Sequence, residues 1–281
     1  MSHRMQRLTL TQEQCHREPQ ANQILSLLPE QQRYLLKVLR LNQGDKFIAI
    51  VNHSSLRGQW WEAEINTTEQ LRLIAPLAHE CELPINLNLA IAMPKGNGLE
   101  DIIRQSTEIG VHEIYPLYTE RTLLKAHTPP STAKQERWQR IAQEAAELAC
   151  RTAVPIIHGP QSWSDWLKHC VTKSDSAINH GQDYGHIYLL CVTHENTAHI
   201  LTMIQKYYGD SNLDSDTMMP QSITVVIGAE GGWTKAEESA ALAQGFMAVS
   251  LGKRILAAVT APVVALSIVS AALEVMPFQQ R

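Results

Sequence analysis

The chain has 281 residues, enough for about two domains and at least one sizeable core. Apolar residues make up 44% and charged residues 19%, with a mean hydropathy of -0.18, which excludes long-range disorder, a fibrous repeat and a polytopic membrane protein. The net charge of -4 hides an asymmetry, +4 over residues 1–60 against -8 over the rest, so the N-terminal part is expected to meet an anionic partner.

From the N-terminus, short strands are expected at Met5–Leu10, Lys46–Val51, Gln59–Ile65 and Leu71–Leu77, punctuated by Gly44-Asp45 and Gly58. That pattern fits a small barrel. A helix over Pro29–Leu41 interrupts it and places Arg33, Lys37 and Arg40 at i, i+4 and i+7, while Leu36 and Leu39 face elsewhere. Such a basic stripe, with Arg7, is a candidate contact for successive phosphates of a nucleic acid.

The polar stretch Pro76–Pro84 ends this pattern and sets the domain division at 1–78 and 79–281. Strands are then expected at Ile85–Met93, Val111–Leu117, Val154–Ile157, His186–Val192, Ile223–Gly228 and Ala248–Leu251. Helices lie between them: Leu99–Ile109, Ala133–Arg151, Trp163–Cys170, Ala198–Tyr207, Lys235–Gln244 and Ala261–Leu273. Alternation of this kind means an α/β domain with a mostly parallel sheet. Lys173–Gly185 and Gly209–Gln221 read as exposed loops.

Ile255–Leu273 is uncharged over a nearly membrane-spanning length, but six alanines, Thr260, Pro262, Ser267 and Ser270 dilute it, and a buried or subunit-interface helix is expected instead. The dimer contact is expected over Thr260–Val275, with Leu266 in it. Cys15, Cys81, Cys150, Cys170 and Cys191 are scattered and never in C-x-x-C spacing, so neither a disulfide framework nor a metal site is expected. Residues 1–10 lack the apolar run of a secretory signal, and a cytoplasmic location is expected.

The strand Ile223–Ile227 runs into Gly228-Ala-Glu-Gly-Gly232, where three glycines let the backbone approach a ligand at the end of a parallel strand. The spacing matches neither a dinucleotide fingerprint nor a phosphate loop. Some twenty residues on comes Ser250-Leu-Gly-Lys-Arg-Ile-Leu256, then Thr260-Ala261 entering a last helix. This combination resembles the knotted SPOUT class of RNA methyltransferases. Lys95-Gly96, Thr107-Glu-Ile-Gly110, Ile114-Tyr-Pro116, Glu120-Arg121, Arg137-Trp138, Glu144-Ala-Ala-Glu147, Arg151 and, further upstream, Val38-Leu-Arg-Leu41 with Gly44-Asp45 fall in the order of one family within it, the RsmE small-subunit ribosomal RNA methyltransferases.

The resemblance implies a PUA-like, RNA-binding β-barrel followed by a trefoil-knotted α/β domain, acting as a homodimer. It implies methyl transfer from S-adenosylmethionine to N3 of a uridine in the 16S rRNA of the small ribosomal subunit, with neither a metal nor a membrane involved. Carried onto this sequence, the cofactor set is Leu190, Cys191, Ile227, Gly228, Glu230, Gly231, Gly232, Leu251, Gly252, Ile255, Leu256 and Thr260. The candidate catalytic cations are Lys95, Arg121, Arg151 and Arg254.

Several polar positions of the family pattern are apolar here. G-P-E-G-G has become Gly228-Ala-Glu-Gly-Gly232, I-L-R-x-E-T-A has become Ile255-Leu-Ala-Ala-Val-Thr-Ala261, and E-A-A-E-Q-S has become Glu144-Ala-Ala-Glu-Leu-Ala149. Leu148 continues the stripe Trp138, Ile141, Ala145 at helical spacing and is expected in the core. An arginine and an acid are missing at Ala257 and Val259. Two readings follow: an active enzyme whose charge comes from Arg254, Arg151 or Lys95, or a catalytically weak or inactive RNA-binding ribosome-assembly factor. A generic nucleotide-binding enzyme acting on small molecules would rest on the glycine loop alone and leaves the basic barrel unexplained.

Overall fold

The computed structural model describes residues 5–11, 13–15, 17–51, 58–122, 130–175, 185–208 and 220–275. Most of the two polar loops expected at 173–185 and 209–221 lies outside the described residues. The chain divides into two compact units, Met1–Glu82 with Gln143–Val154, and Leu83–Ala142 with Pro155–Arg281.

The first unit holds β1 (Arg7–Leu10), β2 (Ile24–Ser26), α1 (Pro29–Gln32), β3 (Lys46–Val51), β4 (Gln59–Thr67) and β5 (Gln70–Leu77), its five strands forming one sheet of order β1-β3-β4-β5-β2. Only β1 and β3 run parallel. Alternate residues of β4, Trp61, Ala63 and Ile65, point into a core with Leu10, Leu35, Phe47, Leu71 and Leu73. No ladder joins the edge strands β1 and β2 among the described residues. Gln31 fills that place: its buried amide donates to the Thr9 carbonyl at 3.1 Å and accepts the Leu28 N–H at 2.9 Å.

The expected helix over Pro29–Leu41 is shorter and of another kind. After Gln32 it widens into a π-helix over Arg33–Val38, closed by the Leu39 N–H on the Tyr34 carbonyl at 2.9 Å, and Arg40 takes a left-handed φ of 57°. Arg33, Lys37 and Arg40 are all exposed, but Arg40 has left the helix, so the three are not one helical stripe. The anchoring residue is Leu35, with no exposure; Leu36 and Leu39 are only partly buried.

A single cut after residue 78 also needs correcting, because residues 143–154 pack with the first unit. Glu147 accepts the Thr9 N–H at 2.8 Å, and the Trp60 indole donates to the Arg151 carbonyl at 2.9 Å. Glu82 accepts the N–H groups of Thr152 and Ala153 at 2.9 and 3.1 Å. The expected helix Ala133–Arg151 ends early as a result: α3 spans Thr132–Leu148, and Cys150 turns left-handed with φ 61°. Leu148, placed at the helix terminus, is 76% exposed rather than in the core, whereas Trp138, Ile141 and Ala145 are buried.

The second unit is α/β. Its strands are β6 (Asn86–Ala92), β7 (Glu113–Tyr118), β8 (Ile156–Ile157), β9 (Gln161–Ser162), β10 (His186–Cys191), β11 (Ser222–Ile227) and β12 (Met247–Val249), all parallel, in the order β12-β10-β11-β6-β7-β8 with β9 beside β7. The central strands β6 and β11 are buried along nearly their whole length, and the polar residues they bury, Asn88 and Thr224, face each other across the two strands at 3.5 Å. The helices are α2 (Gly98–Ile109), α3 in its first part, α4 (Trp163–Asp175), α5 (Ile200–Tyr208), α6 (Lys235–Ala243) and α7 (Thr260–Val275). Helix α7 packs on α2, α5, β6 and β11. Leu266, expected at a subunit contact, is therefore fully buried within its own chain; on α7, Thr260, Ser267, Ala271, Glu274 and Val275 are exposed, and Ala261, Val263, Val264 and Ile268 are half-buried. No described helix is long and apolar enough to cross a membrane.

Candidate active site

Parallel strands β10, β11 and β12 end side by side at Cys191, Ile227 and Val249, and the loops leaving them line a cavity of about 340 Å³. That volume is within the range of small-ligand pockets, at the strand ends where α/β sheets bind ligands. The wall is made by Cys191–His194, Gly228–Trp233 and the segment around Leu251–Leu256.

The glycines have definite tasks in this wall. A Cβ on Gly228 would lie 3.1 Å from the Trp233 ring, which is fixed by its indole N–H on the Cys191 carbonyl at 3.0 Å and by the Trp163 ring at 4.7 Å. Gly232, with φ +71°, closes the turn by donating its N–H to the Ala229 carbonyl at 2.8 Å.

Helix α6 then starts on a capping box: the Thr234 hydroxyl accepts the Glu237 N–H at 3.2 Å, and Glu237 accepts the Thr234 N–H at 3.0 Å. Two adjacent carboxylates of this turn reach the neighbouring loops. Glu237 accepts the Glu120 N–H at 2.8 Å, and Glu238 holds the His194 Nε2 at 2.8 Å. Arg121 lies along the glycine loop and donates to the Gly231 carbonyl.

The cavity thus combines apolar contact from Ile227, Leu251, Ile255 and Leu256 with the cations Arg121 and Arg254, the carboxylates Glu230 and Glu238, and one imidazole. Apolar walls with backbone groups suit a nucleoside, and charges of both signs suit an amino-acid group attached to it. Burial at the end of β10 pushes the Cys191 thiol up to about 12.

Of the expected cofactor set, Cys191, Ile227, Gly228, Glu230, Gly231, Gly232, Leu251, Gly252, Ile255 and Leu256 line the cavity. Leu190 does not: it is fully buried in the sheet. Thr260 is exposed at the start of α7 and is not in the lining either. Among the cations, Arg121 and Arg254 line the cavity. Lys95 is not in the lining, and its backbone N–H donates to Glu230, which is, at 3.4 Å.

Arg151 is in a different place. It belongs to the first unit, its side chain is 4% exposed, and it is paired to Glu82 at 2.5 Å. Burial alone would raise the Glu82 carboxyl, but the Arg151 hydrogen bond and charge, with two backbone N–H groups, outweigh it and hold it below the usual carboxylate range. An arginine so engaged has no free donor face for a substrate. Arg7 lies over the Trp60 ring at 5.0 Å. Sequence reasoning missed His194, Trp233 and Glu238; the sole signal was their nearness to the two strand ends.

Fold and site together define a class: the chain is an RNA methyltransferase, and the family described as RNA methyltransferase domain matches residues 81–270. A ribosomal RNA small subunit methyltransferase E of Synechocystis sp. is 41% identical over 252 residues, 89% of this chain and 74% of that protein. The protein of the same name in Bacillus subtilis is 30% identical over 94% of both chains. The solved structure of a Legionella pneumophila methyltransferase in complex with the bound cofactor SAM superposes with a TM-score of 0.67 at 25% identity, over 96% of this chain and 98% of that one. The chain belongs to the ribosomal RNA small subunit methyltransferase E family.

Proposed function

We propose that this enzyme transfers the methyl group of S-adenosylmethionine to N3 of a uridine in 16S rRNA, within the small ribosomal subunit in the cytoplasm. The observation that carries this reading is the cavity at the ends of β10, β11 and β12, with Arg121 and Arg254 in its wall. The residues present fit the cofactor. Gly228 leaves room for Trp233 to lie against the loop, and Ile255, 85% exposed in the wall, offers an apolar surface that an adenosine would cover. When bound, S-adenosylmethionine supplies an electrophilic methyl on a sulfonium.

Uridine N3 carries a proton and is a poor nucleophile until it leaves. In this reading the N3 proton passes to solvent water, Arg254 faces the uracil and stabilises the imide anion left behind, and Arg121 orients the target nucleotide. The first unit acts as a PUA-like RNA-binding module through Arg33, Lys37, Arg40 and Arg7. The second is the knotted catalytic domain, and the exposed side of α7 meets a second copy. Arg254→Ala should lower methyl transfer about tenfold to a hundredfold with little change in cofactor affinity. The check is N3-methyluridine in small subunits by mass spectrometry. If Arg254→Ala is neutral and Ala257→Arg raises the rate, the missing family arginine was the limiting cation. No methylation of subunits or naked RNA by the parent would leave an RNA-binding assembly factor as the reading.

A further inference from the structure

Capping box residues commonly lie at a helix surface, yet Glu237 is only 4% exposed. Its two oxygens do different work. Oε2 accepts the Thr234 N–H and hydroxyl at 3.0 and 3.1 Å, which completes the cap. Oε1 accepts the Glu120 N–H at 2.8 Å, from a loop 117 residues earlier in the chain. A cap by itself requires no such partner.

The loop it holds is a tight turn. The Thr119 N–H donates to the Thr122 hydroxyl at 2.9 Å, and the Thr122 N–H returns to the Thr119 carbonyl at 3.1 Å, so Glu120 and Arg121 form its apex. Arg121 extends from that apex along the glycine loop. A Cβ on Gly231 would lie 3.2 Å from its Cδ, and its guanidinium donates to the Gly231 carbonyl. Arg121 is thus fixed at its root by Glu237 and at its head by Gly231, two parts of one loop and helix start.

We propose that Glu237 is a positioning residue, which through the Glu120 backbone sets Arg121 over the glycine loop at the wall of the cavity. This rests on the reading that methyl transfer takes place there. Thr234→Ala separates the cap from the bridge, since it removes the hydroxyl but leaves Oε1 on Glu120.

The test compares Glu237→Ala, Glu237→Gln, Thr234→Ala and Arg121→Ala in methylation of small subunits, with amide hydrogen exchange of the unliganded protein as a second readout. Glu237→Ala should lower kcat about tenfold with KM for S-adenosylmethionine within about threefold, and should add nothing to Arg121→Ala. Glu237→Gln, which keeps a carbonyl oxygen for Glu120, should recover most of the rate. Thr234→Ala should lower the melting temperature but not kcat. In exchange, the amides of residues 119–122 should lose protection in Glu237→Ala and keep it in Thr234→Ala. Equal loss of stability and kcat in the alanine variants at 234 and 237 would overturn the proposal and leave Glu237 a cap. A parent that does not methylate would overturn the functional reading instead, and unchanged protection of residues 119–122 in Glu237→Ala would then still reject the positioning role.

Discussion

Arg151 and Arg121 both stand at the end of a regular element, and from their surroundings in the sequence both read as catalytic cations. Their environments could hardly differ more. Arg151 is sequestered with Glu82, which also gathers the N–H groups of Thr152 and Ala153, so its charge is spent on joining two stretches of the first unit. Arg121 is exposed and touches a backbone carbonyl in the cavity wall. What separates the two arginines is whether a carboxylate already satisfies the guanidinium in the folded chain, and only the one left to a backbone carbonyl keeps donors to offer a substrate.

The largest expected effect tests this contrast directly. Arg151→Ala should destabilise the fold by about 3–5 kcal/mol, because it strands the half-buried Glu82 carboxylate, while Arg121→Ala should cost less than about 1 kcal/mol and act on methyl transfer instead. Urea unfolding of both variants measures it. If Arg151→Ala unfolds like the parent and only its rate falls, the assignment of the two roles is reversed.

How much of this was legible in advance follows the physics of each signal. Strands β3, β6, β10 and β11 announce themselves because continuous or alternating apolar runs need a sheet to bury them. The three-residue β2 and two-residue β9 carry no period and went unseen. The end of α3 was misjudged because the contacts that stop it, Glu82 on Thr152 and Trp60 on Arg151, come from residues about 70 and 90 positions away. In the cavity, the glycine loop was readable since glycine marks a backbone need. Glu237 and Glu238 look like an ordinary acidic first turn, and nothing local says that one reaches Glu120 and the other His194.

A second, smaller effect concerns another carboxylate with a full set of partners. Glu113, at the start of β7, pairs with His158 Nε2 at 2.7 Å and accepts the Tyr115 hydroxyl. The His158 hydrogen bond, opposed by burial and aided by Tyr115 and by the His158 and His112 charges, holds its carboxyl down at about 2. A depressed carboxylate adds stability that is fully present above its ordinary pKa of 4.5 and is lost as pH falls towards about 2. Glu113→Gln should therefore be less stable than the parent by about 1.5–3 kcal/mol at pH 7, with the gap closing below pH 4.5. Melting curves at pH 7, 5 and 3 check it; an equal gap at all three would assign the loss to packing.

The smallest effect lies at the far end of the comparison, in cations with no carboxylate partner at all. Arg33, Lys37 and Arg40 are exposed and make no ion pair among the described residues, so none of those residues competes with a phosphate for them. Replacing all three by alanine should flatten the salt dependence of RNA binding by up to three phosphate contacts, each worth roughly 0.7–0.9 in slope, without changing cofactor affinity. The π-helix divides that total. Arg33 and Lys37 are one turn apart and should each remove their full share, whereas Arg40 sits beyond the helix at φ 57° and should behave independently of them. Leu35 remains buried in every variant, so the segment keeps its anchor and unfolding will not mimic lost binding. Salt titrations of the Arg33→Ala/Lys37→Ala pair and of Arg40→Ala alone resolve the shares. A slope unchanged in the triple variant would mean that exposure without a partner is not enough, and would reject the assignment of RNA contact to these three residues.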